Sequence, residues 1–423
     1  MHNDTAGTKV TGMYKNRNLS AKTLRLFETF SVVVLAGARQ TGKTTLLQHL
    51  FPDADYVVFD PVIDVENARE DPELFLDNHR CPLVLDEIQY APELVSVINR
   101  RVEAARSPGM YILTGSQQWQ VLKSIAESLA GRAVFVDLGG FSIGEQLNNS
   151  DGDNWLSDWI NSPSTFLEKT HQCYELPCTL YELLWRGQLP DATLLPMDVM
   201  GDYWLAYERT YIERDVRVLA ELSDWQQFGR FLRLCAALSS QEINYSQLGR
   251  DIGLTPRSAR HWLDLLTATF QWFKISAFKG NLVKRVSSKP KGYFTDTGLM
   301  CHAQQISSPR ALPAHPLAGS LFETLVVNEV LKLSIRLSGR IAFHHWRSAG
   351  GAEVDLILES DGVFYPMEIK LASNPRRRDT SGLEAFRKSY PQLNIAPGII
   401  LSPSRQVNQI SPTVWSLPWN LKQ

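Results

Sequence analysis

The sequence has few cysteines, no excess of charge of either sign and no long apolar run. Its five cysteines are widely spaced and form no C-x-x-C pair, which argues against a disulfide framework and a cysteine-based zinc site. No segment approaches the roughly 18 apolar residues that span a bilayer. The residues from Met1 to Asp4 lack the basic and apolar stretches of a signal peptide. We therefore expect a soluble, cytoplasmic protein.

The bulk composition is that of an ordinary globular protein. Hydrophobic residues make up 44% and charged residues 21% of the chain, so a core can form without a special scaffold. The net charge of −2 predicts no overall attraction to a polyanion, although a local basic surface is compatible with it. At 423 residues the chain exceeds what one core usually organises, and two or three domains are expected.

A phosphate-binding loop of the form G-x-x-x-x-G-K-T occupies residues 37–44. It follows the apolar run 31–35 and precedes the helix-like run 45–50, the strand-loop-helix order in which this motif binds phosphate. Lys43 is expected to reach the β- and γ-phosphates, and the Thr44 hydroxyl to ligate Mg²⁺. The sequence therefore predicts a nucleotide site. Its residues are Gly37, Ala38, Arg39, Gln40, Thr41, Gly42, Lys43, Thr44 and Thr45.

Two acids end the apolar run 82–85, about forty residues after the loop. Such a strand resembles a Walker B element, in which Asp86 would hold Mg²⁺ through water and Glu87 would position the attacking water. Alternatively, the two acids could cap a helix that begins near residue 91, since carboxylates favour helix N-termini. Together with the loop, they favour hydrolysis of the nucleotide over binding alone.

A third apolar strand, 110–114, also has polar residues at its carboxyl end. Ligands bind at that edge of open parallel sheets, so Ser116 or Thr114 could sense the γ-phosphate or orient water, unless they form an ordinary strand-end turn. Arg132 could neutralise charge on the transferring phosphoryl group. It could do so in its own subunit or in a neighbouring one, or it could be a surface ion-pair partner.

Strand-like and helix-like runs alternate through the first third of the chain. This alternation predicts an α/β domain with a parallel sheet and helices on both faces. The polar stretch 148–154 marks a boundary or an insertion. The predicted strands cover 31–36, 55–59, 82–86, 110–114 and 133–138, and the predicted helices cover 43–50, 66–78, 92–105 and 118–130.

The middle of the chain reads as helical and locally basic. A helical stretch over 202–239 contains Glu213, Arg214 and Asp215, which are expected to be solvated or ion-paired. Residues 245–266 resemble a helix-turn-helix, in which Gly253 permits the turn and Thr255 and Pro256 begin the second helix. That helix would expose Arg257 and Arg260. Strand-like runs at 272–276 and 291–295 would form a wing.

The charge of this region suggests a nucleic-acid surface. Residues 250–292 contain nine Lys and Arg against two Asp and Glu, in a chain whose total charge is negative. Arg257 and Arg260 are therefore candidate DNA contacts. The alternative is that the region acts as a lid on the preceding domain or docks an acidic protein partner.

A second candidate site lies in 353–371. Asp361-Gly362 between alternating runs predicts a two-residue hairpin turn, which places Asp355 opposite Glu368 and Glu353 opposite Lys370, all on one face. Facing carboxylates with a nearby lysine suit a divalent metal, and Glu323 could supply another acid. The alternative is a structural ion cluster in which Lys370 and Arg347 offset the acids.

Taken together, these motifs resemble those of bacterial and archaeal AAA-type ATPases fused to a C-terminal domain of unknown function. That C-terminal domain looks like the PD-(D/E)XK, restriction-endonuclease-like fold. Asp355, Glu368 and Lys370 match its D…E-x-K pattern, while Val354 stands where the pattern has proline. The motifs lie at 37–44, 85–87, 113–116, 129–132, 211–215, 294–299, 321–323, 353–355 and 368–370.

The resemblance implies three α/β or helical domains and ATP with Mg²⁺ as ligands. It predicts a P-loop ATPase domain over 1–145, a helical and winged-helix region over 146–305, and a restriction-endonuclease-like domain over 306–423. The first functional hypothesis is an ATPase whose cycle moves the C-terminal module on DNA, with self-association or a protein partner. The other two are a nucleotide-switched DNA-binding protein with slow turnover and a metal-dependent DNA nuclease.

Overall fold

The computed structural model describes residues 14–59, 65–116, 129, 131–149, 154–212, 215–216, 224–280, 288–337 and 339–422. The predicted helix over 118–130 lies outside these residues except for Leu129, and Glu213 and Arg214 also lie outside them. Within the described part of the chain, no helix is long and apolar enough to cross a membrane. All five cysteines are free thiols.

The first third of the chain forms a five-stranded, fully parallel sheet in the order β2-β3-β4-β1-β5. The predicted strands are confirmed, because their apolar runs alternate with helices that cover both faces. All side chains of the central strands β1, β3 and β4 are buried, as expected for a sheet covered on both faces. The strands are β1 (Val32–Ala36), β2 (Asp55–Val58), β3 (Leu83–Asp86), β4 (Tyr111–Gly115) and β5 (Ala133–Asp137).

The helices around this sheet differ from prediction at two places. The run predicted as one helix over 66–78 is divided at Asp71, whose side chain accepts from the N–H of Leu74 while Pro72 begins the next helix. The helix predicted from residue 92 begins at Leu94, after a short 3₁₀ turn at Ile88–Tyr90. The helices are α1 (Ser20–Phe27), α2 (Lys43–Leu50), α3 (Glu66–Glu70), α4 (Pro72–Asp77), α5 (Leu94–Ala105) and α6 (Ile143–Gln146).

The middle region is mostly helical. Its predicted helix pair is present, with Gly253 in the left-handed conformation (φ 73°) at the turn and Thr255 accepting from the N–H of Ser258. A π-helical turn at Glu208–Ile212 follows α11. The helices are α7 (Trp155–Asn161), α8 (Pro163–Glu168), α9 (Leu180–Arg186), α10 (Pro190–Leu194), α11 (Met200–Tyr207), α12 (Trp225–Ala237), α13 (Tyr245–Ile252), α14 (Pro256–Ala268) and α15 (Thr297–Ala303).

A second sheet joins the middle region to the C-terminal region. Its main path runs β14-β15-β13-β11-β10-β9-β7-β8-β6, and β12 pairs with β11. The joint is the parallel pairing of β7 with β9, where Ser276 lies opposite His344. Two helices, α16 (Ala318–Ser334) and α17 (Ser381–Ser389), pack on this sheet.

The strands of this sheet are β6 (Gln241–Glu242), β7 (Trp272–Ala277), β8 (Lys291–Phe294), β9 (Ala342–Arg347), β10 (Glu353–Ser360), β11 (Val363–Ile369), β12 (Asn394–Ile395), β13 (Gly398–Ser402), β14 (Asn408–Ser411) and β15 (Val414–Pro418). Because β7 and β8 belong to the middle region and β9 to the C-terminal region, one sheet crosses the predicted boundary at residue 305. The two regions are therefore joined by the strand pairing of β7 with β9 as well as by side-chain contacts.

The predicted hairpin of β10 and β11 is confirmed in its turn and register. Asp361 and Gly362 both have positive φ, and Leu356 lies opposite Met367 as predicted. The predicted alternation of faces is wrong at Val354, which packs in a different apolar cluster from Leu356. The cause is an irregularity in the pairing of β10 with β9 between residues 354 and 357, which turns Val354 to the other side.

Candidate functional site

The phosphate-binding loop connects β1 to α2, as predicted. Gly42 has φ 87°, a conformation that favours glycine, and it places Lys43 at the first position of the helix. The Lys43 ammonium is buried and donates to the carbonyl oxygens of Gly37 (2.9 Å) and Ala38 (3.0 Å). Burial lowers the pKa of Lys43, while the carboxylates of Glu87 and Asp86 act in the opposite direction. The ammonium therefore lies inside the loop.

Three hydroxyl groups surround the carboxylate of Asp86 at the end of β3. Thr44 Oγ1 and Tyr56 OH each donate to Asp86 Oδ2 at 2.7 Å, and Thr114 donates to Asp86 Oδ1. The structure thus brings together Thr44 and Asp86, the two residues predicted to hold Mg²⁺. Burial and the neighbouring Asp86 raise the pKa of Tyr56. Tyr56 was missed from the sequence because nothing in its local pattern separates it from an ordinary strand residue.

Glu87 lies next to the loop in a left-handed backbone conformation (φ 60°). Its N–H donates to Thr114 Oγ1 at 3.2 Å, and its carboxylate accepts from Gln89 and lies 3.7 Å from the Arg39 guanidinium. Gln89 also donates to Ser116 Oγ at 3.3 Å. The predicted residues Glu87, Ser116 and Thr114 therefore belong to one cluster, in which Gln89 is an addition. Glu87 occupies the N-cap of the 3₁₀ turn Ile88–Tyr90 without a side-chain cap hydrogen bond, and the N-cap of the next α-helix is Glu93, so neither Asp86 nor Glu87 caps that helix.

Arg132 is not brought to this cluster. It precedes β5, whose first residue, Ala133, pairs with Val32 at the start of β1, whereas the loop follows the end of β1. The two edges are about five residues apart, or roughly 16 Å at 3.3 Å per residue. Arg132 instead contacts Asn99 (2.6 Å) and Glu103 (3.1 Å). The predicted role in its own subunit is therefore wrong, and the ion-pair and neighbouring-subunit alternatives remain.

The outer part of the loop is held by residues from outside the parallel sheet. Arg17 donates to the carbonyl oxygen of Thr41 at 2.7 Å. Tyr203 OH donates to Gln40 Oε1 at 2.8 Å. Asp215, expected to be solvated or ion-paired, is buried and paired with Arg39 at 2.9 Å. Burial raises the pKa of Asp215, and the Arg39 guanidinium opposes that shift.

A cavity of about 680 Å³ adjoins the loop at Gly42 and Thr45. Its wall is mostly apolar and aromatic, and Asp191 is the acidic residue in it. Burial raises the pKa of the Asp191 carboxyl group. The apolar and aromatic residues of the wall are Tyr14, Phe141, Pro190, Leu194, Leu195, Pro196 and Tyr203.

The predicted basic face borders a second cavity of about 850 Å³. Arg257 and Arg260 line it from α14, Lys274 lines it from β7, and Lys289 lines it from the residues just before β8. The Arg260 guanidinium lies 4.6 Å from the centre of the Tyr245 ring, and Lys274 is paired with Asp264 at 2.8 Å. The structure therefore groups both candidate DNA contacts on one basic surface.

Two acids of the C-terminal hairpin and one acid of α16 surround a lysine that was not predicted from the sequence. Lys291 Nζ, from β8, lies 2.8 Å from Glu323, 2.7 Å from Glu353 and 2.9 Å from Asp355. Lys370 pairs separately with Glu368 at 2.6 Å. Among the residues that the structure describes, no group of three or more His, Cys, Asp or Glu side chains is arranged to hold a metal ion.

The electrostatics of this cluster follow from burial and from Lys291. For Asp355, burial is outweighed by the ammonium groups of Lys291 and Lys370, and the pKa of Asp355 is lowered. Burial and the neighbouring Asp355 raise the pKa of Glu323 to about 7 and that of Glu368 to about 8. The arrangement agrees with the structural ion-cluster alternative, except that Lys291 rather than Arg347 is the central cation; Arg347 lies 3.7 Å from Glu353.

Three family models match successive parts of the chain. Residues 29–147 match an AAA domain, residues 178–310 match a domain of unknown function (DUF8612), and residues 318–421 match another domain of unknown function (DUF4143). Uncharacterized proteins of Mycobacterium bovis and Mycobacterium tuberculosis are each 26% identical over 407 residues, covering 96% of this chain and 84% of theirs.

Two solved structures share lower similarity with the chain. The Walker-type ATPase of Pyrococcus abyssi is 15% identical, with 69% of this chain and 96% of that chain covered and a TM-score of 0.41. A signal-transduction ATPase with a tetratricopeptide-repeat sensor from Pyrococcus horikoshii is 13% identical, with 78% and 48% covered and a TM-score of 0.24. The loop at 37–44 and the acids at the end of β3 lie within the residues that match an AAA domain, and this match supports a P-loop ATPase.

Proposed function

We propose that this protein binds ATP with Mg²⁺ and hydrolyses it. The observation that carries the proposal is the direct 2.7 Å contact between Thr44 of the loop and Asp86 at the end of β3, with Glu87 beside them. A hydroxyl and a carboxylate are the oxygen donors that Mg²⁺ prefers, so Thr44 and Asp86 fit this ion. When bound, Mg²⁺ would neutralise charge on the phosphate oxygens of ATP.

The chain offers a place for each part of the nucleotide. The N–H groups of the loop and the N-terminus of α2 would bind the phosphates. Lys43 would exchange the carbonyl oxygens of Gly37 and Ala38 for the β- and γ-phosphates. The apolar cavity beside Gly42 and Thr45 would receive the base, since bases stack on aromatic and apolar side chains.

Glu87 would act as the residue that orients water. Its carboxylate lies at the carboxyl edge of the sheet, next to the loop, and Gln89 links it to Ser116. In this arrangement Glu87 would accept a proton from the attacking water as the oxygen approaches the terminal phosphate. Ser116 would hold Gln89 and thereby the orientation of Glu87.

Two substitutions test binding and hydrolysis separately. Lys43→Ala is expected to weaken ATP binding and to abolish turnover, because the ammonium charge next to the phosphates is lost. Glu87→Gln should retain ATP binding and lower turnover by roughly 10²-fold or more, because an amide cannot accept the proton. Binding is measured by titration with a fluorescent ATP analogue and turnover by phosphate release. Undiminished phosphate release from Lys43→Ala would contradict the proposal.

The second candidate function is DNA binding by the middle region, read as a winged helix. The supporting observation is the basic cavity lined by Arg257, Arg260, Lys274 and Lys289. Arg257→Ala with Arg260→Ala should weaken binding to duplex DNA and reduce its salt dependence. A charge-matched control is Arg377→Ala with Arg378→Ala, which removes two exposed arginines from the C-terminal region. Equal binding by both double variants would exclude the proposed surface.

A metal-dependent nuclease is less well supported, because the Lys291 ammonium already lies among Glu323, Glu353 and Asp355. Its test is cleavage of duplex, branched and single-stranded DNA with Mg²⁺ or Mn²⁺, with Asp355→Ala as the inactive variant. Measuring phosphate release with and without the same DNA separates all three functions. Stimulation of phosphate release without cleavage would favour the ATPase that acts on DNA.

A further inference from the structure

One segment of the middle region forms hydrogen bonds and an ion pair with the outer residues of the phosphate-binding loop. This segment, called 200–216 after the described residues 200–212 and 215–216, comprises α11, the π-helical turn and Asp215. Tyr203 OH donates to Gln40 Oε1 at 2.8 Å, and Tyr207 OH donates to the Arg39 carbonyl oxygen at 3.4 Å. Neighbouring residues of the loop are thus tied to a part of the chain more than 160 positions away.

The strongest of these ties is the ion pair of Arg39 with Asp215. Arg39 Nε lies 2.9 and 3.1 Å from the two carboxylate oxygens of Asp215, and a terminal nitrogen of Arg39 lies 2.9 Å from one of them. The side chains are only 13% and 6% exposed. Such a two-point pairing fixes the plane of the guanidinium as well as its position. Asp215 therefore determines where the charge of Arg39 lies.

The same guanidinium reaches the residue proposed to orient water. Arg39 NH1 lies 3.7 Å from Glu87 Oε1, and Arg39 NH2 lies 3.3 Å from the hydroxyl of Tyr90, which follows Glu87 by three residues. Arg39 thus bridges a carboxylate of the middle region and a carboxylate of the ATPase domain. A shift of Asp215 would move or release the guanidinium, and Glu87 would change its orientation with it.

We propose that Asp215 is a positioning residue of the ATPase site, acting through Arg39 on Glu87, so that the placement of segment 200–216 controls the rate of ATP hydrolysis. The inference deepens the proposed function and rests on it. With Asp215 in place, the Arg39 guanidinium pairs closely with Asp215 at 2.9 Å and lies farther from Glu87, at 3.7 Å, so that the Glu87 carboxylate stays beside the loop. Without the Asp215 carboxylate, the Arg39 guanidinium is expected to turn toward the Glu87 carboxylate, 3.7 Å away, and to pull it from the position that orients water.

The test compares turnover and affinity in Asp215→Asn. The amide keeps the size of the side chain but loses its charge, so kcat is expected to fall by about ten-fold or more while KM and the Kd for ATP change less than about three-fold. Asp215→Glu, which restores a carboxylate, should recover part of kcat. Asp264→Asn is the matched control, because it removes the same charge from a residue of the middle region that lies outside this segment and pairs with Lys274. Its kcat should equal that of the unaltered protein.

A double variant separates positioning from a merely structural role. Arg39→Ala is expected to lower kcat, and adding Asp215→Asn to it should cause no further loss, because the carboxylate acts only through Arg39. Thermal unfolding of each variant, followed by circular dichroism, shows whether the compared proteins are folded. A normal kcat in folded Asp215→Asn overturns the inference alone. Absence of ATP hydrolysis by the unaltered protein overturns the proposed function, and the inference with it.

Discussion

Replacement of Lys291 by methionine is expected to destabilise the protein strongly and in a pH-dependent manner. The ammonium is 3% exposed and lies within 2.9 Å of three carboxylates, and Tyr293 OH donates to one of them, Glu323. Methionine has a similar length but no charge, so the change removes the central cation with little change in packing volume. The carboxylates of Glu323 and Asp355, which are 14% and 7% exposed, then lose this compensating charge.

The magnitude follows from the burial of the cluster. Removing one partner of a buried ion pair costs about 3–5 kcal/mol. Asp355 is buried and lies 2.9 Å from the ammonium that the change removes. We expect the free energy of unfolding to fall by about 4 kcal/mol at pH 8. At pH 6 the loss should be at most about half as large, because the acids of the variant can take up protons and so remove their repulsion.

The assay is equilibrium unfolding in urea at both pH values. Lys274→Met is the control. Lys274 lies on the neighbouring strand β7 and forms a more exposed pair with Asp264 of α14, so the free energy of unfolding should fall by at most about 1 kcal/mol. Adding Asp355→Asn to Lys291→Met should restore part of the stability, because it removes the unpaired charge. A loss below about 1 kcal/mol, or equal losses at pH 6 and pH 8, would refute the reasoning.

Three further predictions concern other parts of the chain. Burial raises the pKa of Glu323 to about 7 and of Glu368 to about 8. The contribution of these two groups to the free energy of unfolding is therefore fully present below pH 4.5 and should be lost as the pH rises through 7 to 8. Glu368→Gln should flatten this pH dependence in urea unfolding. Arg132→Ala should leave ATP turnover unchanged in dilute monomer and lower it only where sedimentation detects self-association. Gly187→Ala should cost at least about 2 kcal/mol more than Gly351→Ala in thermal unfolding; both have positive φ, but a Cβ at Gly187 would overlap a carboxylate while Gly351 faces open space.

The parts of the fold that were predicted correctly are those whose structure is determined by a short stretch of sequence. The phosphate-binding loop needs glycine at 37 and 42 whatever surrounds it, because a Cβ at Gly37 would overlap the Leu138 carbonyl oxygen and Gly42 has positive φ. The apolar runs of the parallel sheet are buried on both faces, so their sequence is continuous and easy to recognise. Asp361-Gly362 sets the hairpin register through its turn geometry alone.

The pairings that were missed join residues far apart in the chain. Lys291 meets Asp355 across 64 positions, and Arg39 meets Asp215 across 176. No periodicity joins such pairs, so the sequence does not indicate which carboxylate Lys291 or Arg39 contacts. Arg132 was placed too close to the nucleotide for the opposite reason. Its motif suggests phosphate chemistry, but the parallel pairing of β5 with β1 puts it at the amino edge of the sheet.

The buried polar contacts also define how a change at the nucleotide site would reach the C-terminal region. Phe141 lines the cavity proposed for the base, and its carbonyl oxygen accepts from the buried ammonium of Lys332 at 2.9 Å. One turn earlier in α16, the Glu329 carboxylate accepts from the N–H of Ile143 at 3.0 Å. Since α16 packs against β11 of the second sheet, these contacts connect the wall of the cavity to that sheet through α16. Arg39 and Asp215 form a separate contact, which joins the phosphate-binding loop to the middle region.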